Sequence, residues 1–256
     1  SLSAGATLTV SSGATLTLNG AFANAGIVTV QSGGSFLQGG SSSISGAGSF
    51  IIQRQGSSGN RYNFWSSPIA SQNGVPGNPS YAYNSSVSTQ DASDDANDPG
   101  WSAYNGPMTP GVGYAGMGAG LVSFSGTPNN GNINVPLFYT AFDNTYTQTS
   151  PGTPFNLVGN PYPSAISAVT LLANNPDVDG TIYFWNDDNS GGTDYARTDF
   201  AYWNGTGGLG STATGPTPTG YIGTAQGFLV RALSGSSVLN FTNAQRVAAN
   251  NTQFHR

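Results

Sequence analysis

A chain with one histidine, no cysteine, no lysine and no glutamate has few ways to move a proton or attack a carbonyl. Its acidic charge is carried wholly by Asp, and its basic charge by Arg54, Arg61, Arg197, Arg231, Arg246 and Arg256. His255 is the penultimate residue of the sequence, where chains are usually mobile, so a Ser-His-Asp triad is not expected. Thiolate nucleophiles, lysine Schiff bases and glutamic general acids are absent outright. Asp187, Asp188, Asp194 and Asp199 lie close enough along the chain to supply a glycosidase pair. Such a pair also needs a cleft and groups that shift the acid's pKa, and the sequence gives no sign of either. The expectation is a protein that is not an enzyme.

The same segment suits calcium better. Asn186-x-Asp188-x-Ser190-Gly191, with Asp194 in ninth place, imitates an oxygen-rich calcium loop in which alternate side chains turn inward and glycine allows the bend. The twelfth place holds Arg197 where a bidentate acid belongs. A Ca²⁺ site on Asn186, Asp188, Ser190 and Asp194 therefore competes with a solvated turn between strands around Tyr183 and Tyr195. A second acidic cluster, Asp91 to Asp98, has no glycine in ligand register and reads as an exposed loop. Trp101, Trp185 and Trp203, with Trp65, Tyr83, Tyr104 and Tyr202, have the ring faces of a carbohydrate-stacking platform and equally the bulk of a β-core. Sequons at Asn84, Asn204 and Asn250 are weak pointers to surface loops.

The elements that must carry these residues are strands. Only 7% of residues are charged, against roughly 25% in an average protein. Two strong helix formers are missing, while Thr, Tyr, Val and Phe are plentiful and 37 Gly and 15 Pro punctuate the chain. An aromatic content of 11% argues for a folded chain. A net charge of −5 with scattered arginines offers no stripe for phosphates, so no nucleic-acid partner is expected. Apolar runs fall well short of the ~20 residues that span a bilayer, so neither is membrane insertion.

The first fifty residues repeat. Ala6 to Gly20 laid over Gly26 to Gly40 matches Thr9/Thr29, Val10/Val30, Ser12/Ser32, Gly13/Gly33 and Gly20/Gly40, and a further step of twenty carries Val30 to Phe50. Within each unit apolar residues alternate, as in Leu8, Val10 and Leu16, Leu18. This predicts a short β-solenoid of about 20 residues per coil over residues 1–53, with hairpins at a sandwich edge as the alternative. Its open ends must be covered by the next domain, by preceding sequence or by a neighbouring subunit.

Residues 54–256 carry a second echo. Tyr62-Asn63-Phe64-Trp65-Ser66-Ser67-Pro68 lies over Phe155-Asn156-Leu157-Val158-Gly159-Asn160-Pro161, Tyr104 to Gly106 over Trp203 to Gly205, and Pro110 to Tyr114 over Thr224 to Phe228, which places Gly113 over Gly227. The prediction is a duplicated antiparallel β-sandwich with halves at about 54–150 and 151–256, each opening motif ending its strand in an Asn- and Pro-stiffened turn. One short helix is expected over Ala165 to Asn174.

The runs Phe155 to Ser164, Thr181 to Asn186, Gln226 to Arg231 and Phe241 to Arg246 resemble a module of very large Bacteroidota surface proteins exported by the type IX secretion system, among them gliding-motility-type adhesins. The resemblance implies an extracellular, cell-surface location and a structural or adhesive role, and it brings no catalytic residues. The chain lacks the C-terminal sorting domain of such proteins, so it is expected to be a segment or processed product. Without lysine it cannot make the Lys-Asn cross-link of many pilins, so strength in a filament would rest on strand pairing between subunits or adjacent domains. Low charge and tight pairing should also slow trypsin-type cleavage at Arg197, Arg231 and Arg246. The alternative is a carbohydrate-binding module of a secreted protein.

Overall fold

The computed structural model describes residues 1–91, 98–186, 199–211 and 215–256. In the first fifty residues, alternation of apolar residues with threonine and serine gives short strands that turn residues end after three or four positions. These are β1 (Thr7–Val10), β2 (Thr15–Leu18), β3 (Ala21–Ala23), β4 (Ile27–Val30), β5 (Ser35–Gln38), β6 (Ser43–Ser45) and the longer β7 (Ser49–Gln55). They pair in parallel: β1 with β4 from Thr7↔Ile27 to Val10↔Val30, and β2 with β5 from Thr15↔Ser35 to Leu18↔Gln38. The following step differs from the expected register. Phe50 lies opposite Val28, and Ile52 opposite Val30, while β3 meets β6 as Ala21↔Ser43. Two extra residues have entered the turn between β5 and β6. Because strand side chains alternate with period two, the apolar set stays on the inner face despite the longer step. Val28, Val30, Phe36, Phe50 and Ile52 are all buried there.

Beyond Gln55 the pairing turns antiparallel. The strands are β8 (Tyr62–Trp65), β9 (Gln72–Asn73), β10 (Ser80–Tyr83), β11 (Gln90–Asp91), β12 (Trp101–Ala103), β13 (Pro107–Met108), β14 (Tyr114–Met117) and β15 (Leu121–Ser125). One sheet has the order β12-β10-β14-β8, and β9 pairs with β13 beside it. β15 returns to pair with β7, so a sheet ordered β1-β4-β7-β15 runs across the boundary expected at residue 53.

The remaining elements are β16 (Ile133–Pro136), β17 (Thr147–Gln148), β18 (Phe155–Gly159), β19 (Ile166–Ser167), α1 (Ala168–Ala173), β20 (Val178–Trp185), β21 (Phe200–Trp203), β22 (Gly208–Leu209), β23 (Tyr221–Ile222), β24 (Gly227–Ala232) and β25 (Val238–Phe241). The second sheet is ordered β18-β24-β20-β21-β22; β19 pairs with β23, β16 with β25, and β17 with β11. The helix is shorter than the segment expected. Ile166 and Ser167 are drawn into pairing with Ile222 and Tyr221, and the Ser167 hydroxyl then caps the helix by accepting from the Thr170 N–H.

Apolar packing divides by region. The parallel strands share a core with the first sheet through Val28, Phe50, Trp65 and Phe124. The second sheet, α1 and β25 enclose their own around Ile166, Leu171, Phe184, Phe228 and Phe241. The end of the chain is not loose, contrary to expectation: Phe254 is 7% exposed and His255 2%. The Gln226 side chain explains this, since it accepts from the His255 N–H at 2.6 Å and donates to the His255 carbonyl at 3.2 Å.

Candidate functional site

The residues of the two opening motifs meet where the antiparallel sheets adjoin. Trp65 bridges to Gln226, and Val112 to Val158. The Ser66 N–H donates to the Ala225 carbonyl at 2.9 Å, and the Gly159 N–H to the Gly111 carbonyl at 2.9 Å. Asn63 and Asn156 are both buried and both brace backbone. Asn63 Oδ1 accepts from the Ser57 N–H at 2.8 Å; Asn156 Oδ1 accepts from the Phe138 N–H at 2.8 Å, and its Nδ2 donates to the Pro154 carbonyl at 2.9 Å. Asn160 donates to the carbonyls of Ser164, Ile222 and Gly223 and accepts from the Tyr162 N–H, which holds the turn through Pro161. Pro68 and Pro161 are buried, and Asn129 ties the two turns together by donating to the carbonyls of Ser67 at 3.0 Å and Pro161 at 2.9 Å. At Gly227 a Cβ would fall 2.7 Å from the Phe64 carbonyl carbon, so glycine is what lets the sheets touch. These polar groups are consumed in holding the seam.

The tryptophans do not form one platform. Trp101 is half-buried, packed on Tyr83 at 4.7 Å and Phe64 at 5.7 Å, and Phe64 stacks in turn on Trp185 at 5.8 Å. Trp185 and Trp203 are each 5% exposed, and Trp203 lies in the second sheet's core. Rings with so little surface have no open face for a sugar. Trp101 and Tyr83 keep part of theirs, though burial pushes the Tyr83 phenol well above its usual range.

Of the calcium candidates, Asn186 is buried and donates its amide to Ser211 Oγ at 2.6 Å; Asp188, Ser190 and Asp194 lie outside the described residues, as do Asp187 and Arg197. Among the described residues, no group of three or more His, Asp, Glu or Cys could hold a metal. Asp98 accepts from Ser88 Oγ at 2.7 Å and from the Gly100 N–H at 2.8 Å, so it ties loop backbone. The His255 ring lies on Phe184 at 4.4 Å between centroids, and among the described residues neither ring nitrogen has a hydrogen-bond partner. Burial first, and Arg54 second, lower its pKa to about 4.

Two buried arginines carry more of the architecture than their scattered positions suggest. Arg246 Nη2 donates to the Phe36 carbonyl at 2.6 Å, Nη1 to Asn130 at 3.1 Å and Nε to Ser164 at 3.1 Å, with the guanidinium over the Tyr162 ring at 4.9 Å. It ties β5 to the loop before β16 and to the turn after β18. Arg54 donates to the carbonyls of Asn251 and Gln253 and lies over Phe254 at 4.7 Å. In so charge-poor a sequence, a lone arginine within an apolar motif is the signal that could have found them.

The fold defines the class: an all-β protein of several separate sheets. The family model described as "Domain of unknown function (DUF8693)" matches residues 1–256, and the chain belongs to that family. Neither the curated proteins nor the solved structures contain a match.

Proposed function

We propose that the protein is an extracellular structural or adhesive module of a bacterial cell surface, built as a short β-solenoid joined to a duplicated β-sandwich, and that it assembles with copies or neighbouring domains through strand pairing. The observation that carries this reading is the edge of the parallel stack at β1, which preceding sequence, a neighbouring domain or another copy could extend. Among the described residues β1 is the terminal strand of its sheet, and no charged residue occurs before Arg54. Natural edges are normally defended by charge, proline or a bulge, so an undefended edge is suited to receiving another strand. Leu2, Leu8, Leu16 and Phe22 are left only partly covered at that end. The matching strand orders of the two antiparallel sheets support the duplication, with halves at about 54–150 and 151–256. The resemblance to type IX-secreted surface proteins supports the location.

The test is assembly at high concentration, followed by negative-stain imaging and light scattering. Linear or end-to-end particles are expected from the native chain, and Thr7→Lys with Thr9→Lys, both at exposed β1 positions, should abolish them without lowering the melting temperature. Native protein that stays as single particles would sink the assembly reading.

A further inference from the structure

Residues 247–256 belong to no helix or strand, yet they touch the parallel stack and both antiparallel sheets. Asn251 Nδ2 donates to the Gly34 carbonyl beside β5, the Phe254 ring packs on Trp65 of β8 at 5.0 Å, and the His255 ring on Phe184 of β20 at 4.4 Å. Asn251 Oδ1 accepts from the Thr224 N–H at 2.7 Å, and Arg54 donates to the carbonyls of Asn251 and Gln253. The groove is shaped to a backbone: a Cβ at Gly223 would fall 2.5 Å from the Gln253 carbonyl oxygen. Asn251, Phe254 and His255 are buried, whereas Ala248, Ala249 and Asn250 just before them are exposed, and Asn250 has a φ of 62°. An exposed run of three with a left-handed residue at its end is a strained hinge ahead of a buried anchor.

We infer that residues 251–256 are an exchangeable clasp, and that the groove they fill takes the same segment from a second copy of the chain. The seating contacts join the clasp to the rest of the chain, so a second copy's clasp makes the same set, and the trade loses no contact while letting the hinge relax. Held by side chains instead of a ladder, the clasp can open without any sheet coming apart. The pockets for Phe254 and His255 and the donors for two backbone carbonyls already match this sequence, which fixes the occupant. The exchange does not use the β1 edge, and either reading can fail without the other.

Hydrogen exchange of the native chain tests the opening. The N–H groups of His255 and Thr224, bonded to Gln226 and Asn251, should be protected about tenfold less, or worse, than amides within the β18-β24-β20 ladder. Equal protection would overturn the inference. Native mass spectrometry of mixed ¹⁵N-labelled and unlabelled chains, concentrated and briefly warmed, tests the exchange. Mixed dimers are expected, they should persist in Thr7→Lys with Thr9→Lys, and deletion of Ala249, which shortens the hinge, should raise their fraction by about tenfold. Absence of mixed dimers, their loss when β1 carries lysine, or an unchanged fraction in the deletion variant would each sink the clasp. Phe254→Ala empties one pocket, and its lowered melting temperature should be restored by the synthetic peptide of residues 250–256 and not by that peptide with Ala in place of Phe254. Equal effects of the two peptides would count against recognition of this segment, and should Phe254→Ala fail to fold, the exchange measurements on the native chain decide.

Discussion

The two antiparallel sheets use one strand order and bury it differently. Read along the chain, the first strand of each lies beside the last, and the last beside the second: β8-β14-β10-β12 in one, β18-β24-β20-β21 in the other. Each sheet also has a minor pair, β9 with β13 and β19 with β23, and each is flanked by a strand pair, β7 with β15 and β16 with β25. The second sheet adds β22, an eight-residue β20 and the cover of α1, and so encloses a core of its own. The first shares its core with the parallel stack. One topology can thus serve as a self-sufficient unit or as an adaptor that fastens a repeat, according to what covers its apolar face.

The sharpest way to break this comparison is at the seam, where corresponding residues face one another with almost no room. A Cβ at Gly159 would lie 2.5 Å from Ser66 Cβ and 2.8 Å from the Gln226 carbonyl oxygen. Gly159→Ala should therefore destabilise by about 3 kcal/mol in urea unfolding, at the upper end of overpacking costs. Ser66→Gly in the same background should recover part of that loss, since it removes the nearest obstacle, whereas additive losses would mean that the seam does not couple these positions.

The C-terminal segment sharpens the comparison from the other side, because it engages the second sheet through Gln226, while the corresponding residue of the first is Val112. His255 is held neutral, with a pKa lowered to about 4 from an ordinary 6.5. The unfolded chain takes up a proton near pH 6.5 and the folded chain only near 4, so stability is complete above that window and falls as pH drops through it. The loss should approach ~3 kcal/mol by pH 4. His255→Phe, which keeps a ring on Phe184, should flatten this limb and leave stability at pH 7 nearly unchanged. An unaltered acid limb in that variant would assign the effect to other groups.

Strand content, the alternation in the first fifty residues and the seam motifs were legible because each is a local pattern. The spacing from Val28 to Phe50 was not, since two residues added to a turn leave alternation untouched and so leave no trace in periodicity. The fate of the tryptophans was hidden for a different reason. Composition gives ring count, whereas the burial of Trp185 and Trp203 depends on which strand passes over them. His255 was misplaced by its position at the end of the sequence, because the Gln226 side chain that holds it lies 29 residues away.

The smallest effect concerns a position at which the two sheets differ in residue but not in conformation. Gly111 and Ala225 correspond in the sequence echo and both have positive φ, 84° and 61°. Left-handed backbone costs a residue with a Cβ about 1 kcal/mol, so Ala225→Gly relieves that strain but gives up a fully buried methyl worth about 0.8 kcal/mol. The two effects should cancel to within about 0.5 kcal/mol in thermal or urea unfolding. The reverse change is not symmetric: a Cβ at Gly111 would lie 2.7 Å from Val135 Cγ2 and 3.2 Å from Ile133 Cγ2, so Gly111→Ala adds crowding to strain and should cost about 2 kcal/mol. Equal losses from both substitutions would mean that the two positions have the same surroundings, and the difference in how the sheets are covered would then not reach the seam.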